Sequence, residues 1–197
     1  MIKSPIPKVT NNKQFRAIGI VFGMYKPNDN NLLNKGFIED SSGLNIDAVV
    51  LGKALPLIRK FINFEKKYYW IVYPRNKNSD NIHLQIAGIW DPNNFKNNDE
   101  NIKKTHDLLH SLDLKDNLFS IRGKLIFINT QEKDLIIKIC PSRQNKNKKN
   151  KSFKILVKGE ISMKYINSFV SLEVIRKDNT LFMEKFEIIE AKVSEIN

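Results

Sequence analysis

His106 and His110 are four positions apart, and among the residues that could do chemistry their spacing is the most suggestive of metal binding. Side chains at i and i+4 of a helix lie on the same face, and two imidazoles placed in this way can bind a transition metal. Neither histidine has a neighbouring glutamate in the pattern of a metalloprotease, however, and no third ligand is obvious. We interpret the pair as solvated residues of a linker helix, and a metal site is the weaker alternative.

The other candidates for catalysis are weaker. The chain contains no glycine-rich phosphate loop, no nucleophile elbow and no dinucleotide fingerprint. The only cysteine, Cys140, follows apolar residues and fits a structural thiol, while His83 fits the surface of a strand. Glu39, Asp40 and Asp47 could suggest a carboxylate site, but turn formation explains Asp40. The sequence therefore predicts a protein that is not an enzyme and that requires no cofactor or metal.

Aromatic residues interleaved with basic ones are the stronger signal. In residues 68–73, alternation places Tyr68 and Trp70 on one face of a strand and Tyr69 and Tyr73 on the other. A small barrel has room inside for only one of these faces, so we expect an aromatic pair at the surface. Exposed rings stack on unpaired bases, at about 1–3 kcal/mol per base, and neighbouring cations hold the backbone. Packing of the rings against another domain or a partner protein is the alternative.

We expect two groups of residues to contact nucleic acid, either RNA or single-stranded DNA. The first group belongs to the strands and loops of the N-terminal half and consists of Tyr25, Lys26, Lys35, Phe37, Tyr73, Arg75 and Lys77. The second group is a basic run with no acid and consists of Arg143, Lys146, Lys148, Lys149 and Lys151. Such a run supplies salt-dependent affinity but no sequence information. A solvated loop without a ligand is the alternative interpretation of this run.

These residues need a scaffold, and its first element is Phe15–Tyr25, a β-branched and aromatic stretch interrupted by Gly19 and Gly23. Glycine inside a strong strand pattern marks a bend or a bulge. A long strand that bends can pair in two sheets and so open a small closed barrel. The pattern returns at Phe119–Ile128, where Gly123 aligns with Gly19. The repeat predicts two small barrels in tandem.

The order of elements indicates the kind of barrel. Residues 14–92 read as three strands, an amphipathic helix that begins near Pro56, and two further strands. This is the order of the five-stranded oligonucleotide/oligosaccharide-binding (OB) barrel. We predict a mainly β protein of two tandem five-stranded OB-like barrels, the first with a helix between strands 3 and 4. The predicted divisions are a flexible basic arm (1–13), barrel 1 (14–92), a linker with room for a short helix (93–117), and barrel 2 (118–197) with a basic loop (143–151).

The charge of the chain agrees with a polyanionic ligand. The formal net charge is +12, from 33 Lys and Arg against 21 Asp and Glu. This surplus predicts attraction to nucleic acid. The alternative is drift, because Asn, Lys and Ile are abundant in proteins of AT-rich genomes. A single cysteine fits a reducing compartment, and neither a signal peptide nor an apolar run of about 18 residues is present. A soluble cytoplasmic protein without membrane contact is expected.

Four segments resemble a family of uncharacterised cyanobacterial proteins: Phe15–Gly19, Asp47–Gly52, Val72–Arg75 and Gln85–Trp90. The resemblance extends over about residues 15–190, and the basic loop is its least matched part. It bears on source and compartment only, and it brings no activity, cofactor or catalytic residue with it. The predicted function is non-enzymatic binding of single-stranded or structured RNA or DNA. The alternative is a protein-interaction or assembly factor that docks a partner through its exposed aromatic face.

Overall fold

The structure is a computed structural model that describes residues 4–29, 31–76, 81–92, 99–140 and 151–191. The described residues divide into two compact units. The first unit takes its residues from 1–7, 19–74 and 83–118, and the second from 8–18, 75–82 and 119–197. Each unit contains one five-stranded barrel.

The first barrel is formed by strands β1 to β5. Their bounds are Arg16–Pro27, Lys35–Asp40, Asn45–Val50, Tyr68–Asn76 and Ile82–Trp90. The strand order is β2-β3-β5-β4-β1, and an additional pairing of β2 with β1 closes the barrel. Strand β3 runs parallel to β5, whereas β1 is antiparallel to both β2 and β4. This is the order predicted for an OB barrel.

A short helix, α1, covers Leu55–Phe61 between β3 and β4, with Pro56 in its first turn. Ile58 is its only fully buried residue, while Leu57 and Phe61 remain about 40% exposed (41% and 40%). The predicted helix is therefore confirmed in place and is shorter than the amphipathic pattern indicated.

Gly23 is the residue at which β1 passes from one neighbour to the other, since it pairs with Asp40 of β2 and with Tyr68 of β4. A Cβ atom here would lie 2.5 Å from the backbone oxygen of Glu39, so only glycine allows this approach. Gly123 has the same role in the second barrel, where a Cβ atom would lie 2.5 Å from the backbone oxygen of Lys138. Gly123 is thus equivalent to Gly23. The prediction that Gly123 corresponds to Gly19 was therefore wrong by four residues. The strand pattern of the sequence fits either glycine of β1, and only the close contact with the neighbouring strand distinguishes Gly23 from Gly19.

The second barrel is formed by strands β6 to β10. Their bounds are Leu118–Asn129, Asp134–Ile139, Phe153–Lys158, Phe169–Lys177 and Thr180–Glu190. The order β6-β7-β8-β10-β9 is closed by a pairing of β6 with β9, which repeats the connections of the first barrel. A 3-10 turn at Met163–Tyr165 takes the place of the helix between the third and fourth strands. The prediction of two tandem OB-like barrels is confirmed.

The second α-helix, α2, covers Asp99–Ser111 and belongs to the first unit. Its Leu109 joins Ile20, Tyr69 and Trp90 in a buried cluster on the outside of the first barrel. None of the helices in the described ranges is long and apolar enough to cross a membrane.

Candidate nucleic-acid interface

Three of the four aromatic side chains of strand β4 are buried, and the fourth, Tyr73, is half-buried. Trp70 is fully buried and donates its Nε1–H to the backbone oxygen of Gly23 at 2.8 Å. Tyr68 and Tyr69, which alternation places on opposite faces, are only 5% and 3% exposed. The expectation of an exposed aromatic pair on this strand was wrong, because helix α2 covers the outer face of β4 and forms a second core there.

His106 is half-buried and packs against residues of that second core. Its Nδ1 and the hydroxyl of Tyr69 form a hydrogen bond, and its ring packs edge-on against Phe22 at 5.0 Å. Burial, together with the nearby charge of His110, lowers the pKa of His106. Burial raises the pKa of Tyr69, so the phenol stays protonated and the hydrogen bond joins two neutral side chains. Among the described residues, no cluster of three His, Cys, Asp or Glu side chains could hold a metal.

Among the predicted contact residues of the first barrel, Lys26, Lys35 and Phe37 lie in a face with mixed charge, whereas Tyr25 does not. Tyr25 is completely buried, and its hydroxyl donates to the backbone oxygen of Leu33 at 3.0 Å, so its ring is not available for stacking. Lys26 forms a salt bridge with Glu39 at 2.5 Å. Phe37 is half-buried and stands between Lys26 on β1 and Asp47 on β3.

The other predicted residues are distributed as follows. Lys35 is exposed opposite Val49, and Tyr73 is half-buried. Arg75, which belongs to the second unit, stacks its guanidinium over the ring of Phe153 at 3.7 Å. In the basic run, Lys151 is exposed. The remaining predicted residues lie outside the described part of the chain: Lys77, Arg143, Lys146, Lys148 and Lys149.

Three lysines form a row across the outer face of the second barrel. Lys124 of β6 is the cross-strand partner of Lys138 of β7, which is also the partner of Lys154 of β8. The neighbouring positions Leu125, Ile137 and Ile155 are fully buried, so alternation directs the three lysines outward. We call Lys124, Lys138 and Lys154 the lysine row.

An apolar row runs beside the lysine row. Phe127 of β6 pairs with Ile136 of β7, which pairs with Leu156 of β8. A register shift between Leu125 and Phe127 brings Phe127 to this position, and its side chain is 45% exposed. The backbone N–H of Leu156 donates to the side-chain oxygen of Asn76 at 3.3 Å. The face therefore offers an exposed ring next to a line of cations.

Like charges directly opposite each other on neighbouring strands are destabilising. No salt bridge within the described ranges includes a member of the lysine row. The acid at the far end of the face, Asp134, is paired with Lys158 at 2.6 Å. The lysine row thus remains an uncompensated positive charge that an anionic ligand would neutralise.

Comparison with known proteins adds two family matches. Residues 17–97 match a family model described as "PatR RNA-binding protein, N-terminal OB-fold domain". Residues 121–190 match a second model, described as "Cyanobacterial OB-fold-like RNA-binding domain, C-terminal". The chain belongs to this cyanobacterial tandem OB-fold family. A search of curated proteins finds no match.

The two family matches correspond closely to the two barrels, and they confirm the resemblance to a cyanobacterial family. Both domain families are described as RNA-binding. The lysine row and Phe127 of this tandem OB-fold chain are not among the residues predicted from the sequence. The alternation of lysine with apolar residues in β7 and β8 was a usable signal, but only the strand register shows that the lysines stand side by side.

Proposed function

We propose that the chain is a non-enzymatic RNA-binding protein and that the outer face of β6, β7 and β8 is its principal contact surface. The observation that carries the proposal is the lysine row beside the exposed ring of Phe127. Cations that follow the backbone, together with aromatic rings on which bases stack, are the usual elements of single-strand binding.

The comparison of equivalent faces favours the second barrel. In the first barrel, the outer face of β1, β2 and β3 carries Lys26 and Lys35 together with the acids Glu39 and Asp47. The lysine row of the second barrel has no acid in line with it. Phosphate groups are attracted to uncompensated positive charge and repelled by carboxylates, so RNA is expected to prefer the second barrel.

The basic run joins β7 to β8 and so continues from the same end of the face. The chain leaves β7 one residue after Lys138 and enters β8 one residue before Lys154. The run between these strands adds Lys151 and four further basic residues. We propose that the run contributes sequence-independent attraction through counterion release.

Phe127 supplies the base contact in this proposal, because the lysines carry no sequence information. The family descriptions favour RNA over single-stranded DNA. Binding of a fluorescent unstructured oligoribonucleotide and of the matching DNA, followed by anisotropy at several salt concentrations, tests the proposal. We expect RNA binding that weakens steeply with salt. Absence of binding to RNA at low salt would refute the proposal.

A partner protein is the second candidate ligand, and it is favoured by two exposed rings on β10. Phe182 and Phe186 are 37% and 45% exposed. Lys177 lies over the ring of Phe182 at 5.6 Å. Co-purification after nuclease treatment separates the candidates. A protein that remains bound after nuclease treatment, but not to a Phe186→Ala variant, would support this function.

A further inference from the structure

Arg16 and Arg122 of the second unit form a cluster that is separate from the lysine row. Arg122 of β6 is only 5% exposed and donates from Nη1 to Ser171 Oγ at 2.8 Å and from Nη2 to the backbone oxygen of Asn12 at 2.6 Å. Arg16 donates from Nη2 to Ser120 Oγ at 2.6 Å. The cluster therefore combines two guanidinium groups with two hydroxyl groups.

The positive charge of Arg122 is not neutralised. Its guanidinium donates to a hydroxyl and to a carbonyl oxygen, and no carboxylate in the described part of the chain forms a salt bridge with it. Its Nε is buried without a hydrogen-bond partner. Burial, followed by the charge of Arg122, lowers the pKa of Arg16. Buried charges are normally paired, so this arrangement suits an anion.

The cluster is continuous with the lysine row along β6. Phe119, Ile121 and Leu125 are fully buried, and alternation therefore places Ser120, Arg122 and Lys124 on the opposite, outer face. Two of the acids on β9 and β10 are held in salt bridges, whereas Glu187 is exposed opposite Ser171. Glu173 pairs with Lys185 at 3.4 Å, and Glu190 pairs with Lys13 at 2.7 Å.

We propose that Arg16, Ser120, Arg122 and Ser171 bind one backbone phosphate of the RNA, at the end of the path that begins at the lysine row. This inference rests on the proposed RNA-binding function. The carbonyl oxygen of Asn12 occupies the position of a phosphate oxygen in the free protein. The planar fork of a guanidinium binds phosphate with two parallel hydrogen bonds, and the serine hydroxyls add further donors.

The segment around Asn12 must then move when RNA binds. It is held by local hydrogen bonds between Thr10 and Gln14 and by the exposed salt bridge from Lys13. Exposed ion pairs contribute little to stability, so a phosphate can displace the segment. We expect the backbone amides of residues 10–14 to exchange hydrogen faster in the RNA complex than in the free protein.

The affinity test compares Arg122→Lys and Arg122→Gln with Arg176→Lys in the full chain, using an unstructured oligoribonucleotide. Arg176 is a matched control, because it is also a buried arginine of the second barrel (4% exposed) and donates to the backbone oxygen of Asp178. We expect Arg122→Lys to weaken affinity about tenfold, since lysine keeps the charge but lacks the fork. Arg122→Gln should in addition lower the slope of log K against log salt by about 0.7.

Ser171→Ala is the second variant, because it removes one donor from the cluster without removing a buried charge. We expect it to weaken RNA binding about threefold. Because Ser171 Oγ accepts the hydrogen bond from Arg122 Nη1 in the free protein, the substitution also lowers the unfolding midpoint, and binding is therefore compared at a temperature at which both proteins are folded. If Arg122→Lys and Ser171→Ala bind RNA as the wild type does, and exchange at residues 10–14 does not change, the cluster only anchors the N-terminal segment. That result overturns the inference and leaves the proposed function intact.

Inorganic phosphate provides a test that does not depend on RNA. The side-chain Nε–Hε signal of Arg122, assigned from its loss in Arg122→Lys, should shift when the wild-type protein is titrated with phosphate. It should not shift with chloride at the same ionic strength. An Nε–Hε signal that does not respond to phosphate contradicts the proposed site, even where the protein binds RNA through the lysine row.

Discussion

Lys124 and Lys138 are direct cross-strand partners on the outer face of the second barrel. Opposite residues of a strand pair have Cβ atoms about 4.5–5.5 Å apart, so the two ammonium groups repel each other in the free protein. Lys154 extends the row on the other side of Lys138. An arrangement that is unfavourable without a ligand becomes favourable when a phosphate backbone runs along it. Stability and binding should therefore respond in opposite directions to the loss of Lys138.

Replacing Lys138 with Gln tests this opposition. We expect the free energy of unfolding to rise by about 0.2–1 kcal/mol, because two repulsive pairs are removed. Affinity for RNA should fall in the same variant. Urea unfolding and anisotropy measure the two effects, and Lys53→Gln serves as a control for the loss of an exposed lysine. A variant that is both less stable and equally able to bind RNA would contradict the account.

Replacing Phe127 with Ala tests base stacking. The expected loss is about 1–3 kcal/mol of binding free energy for one stacked base. Phe186→Ala is the matched control, because both rings are 45% exposed and both belong to the second barrel. Anisotropy should show weaker RNA binding for Phe127→Ala and unchanged binding for Phe186→Ala. Equal effects of the two substitutions would show that the contact is not specific to this face.

Replacing Gly123 with Ala tests the bend that closes the second barrel. The added Cβ would meet the backbone oxygen of Lys138 at 2.5 Å, so strand β6 would have to move away from β7. We expect a loss of about 1–3 kcal/mol in stability, the usual range for overpacking. Gly52→Ala is the control, since no atom lies within 4 Å of its added Cβ. Equal urea midpoints for the two variants would exclude the proposed clash.

Burial of His106 against the first barrel, together with the charge of His110, makes the attachment of α2 dependent on pH through the lowered pKa of this histidine. The pKa of His106 is lowered in the folded protein, so below about pH 6.5, the usual value for histidine, the unfolded chain binds more protons than the native one. The contribution of His106 to the free energy of unfolding is therefore fully present at neutral pH and decreases as the pH falls. Wild-type protein should lose more stability between pH 7.5 and 5.5 than His106→Gln. Parallel pH profiles would show that His106 does not contribute.

The barrels could be predicted from the sequence, whereas the proposed binding face could not. Alternation and the glycines of β1 and β6 depend on local residue order, which a single chain displays directly. The lysine row depends on the register between β6, β7 and β8. The position of Phe127 beside this row depends on a register shift between Leu125 and Phe127. The prediction for the outer ring of β4 was wrong because helix α2 covers Tyr69 within the same unit. Burial by a segment that is distant in the sequence cannot be detected from the residues of the strand itself.

The most direct test of the account is the salt dependence of RNA binding by a triple variant, Lys124→Gln, Lys138→Gln and Lys154→Gln. A second triple variant, Lys53→Gln, Lys60→Gln and Lys103→Gln, removes the same charge from exposed positions of the first unit. If three phosphates contact the lysine row, the slope of log K against log salt should decrease by about 2 in the first variant, at about 0.7 per contact, and change little in the second. Equal slopes for both variants would contradict the central claim, because they would show that RNA responds to net charge and not to this face.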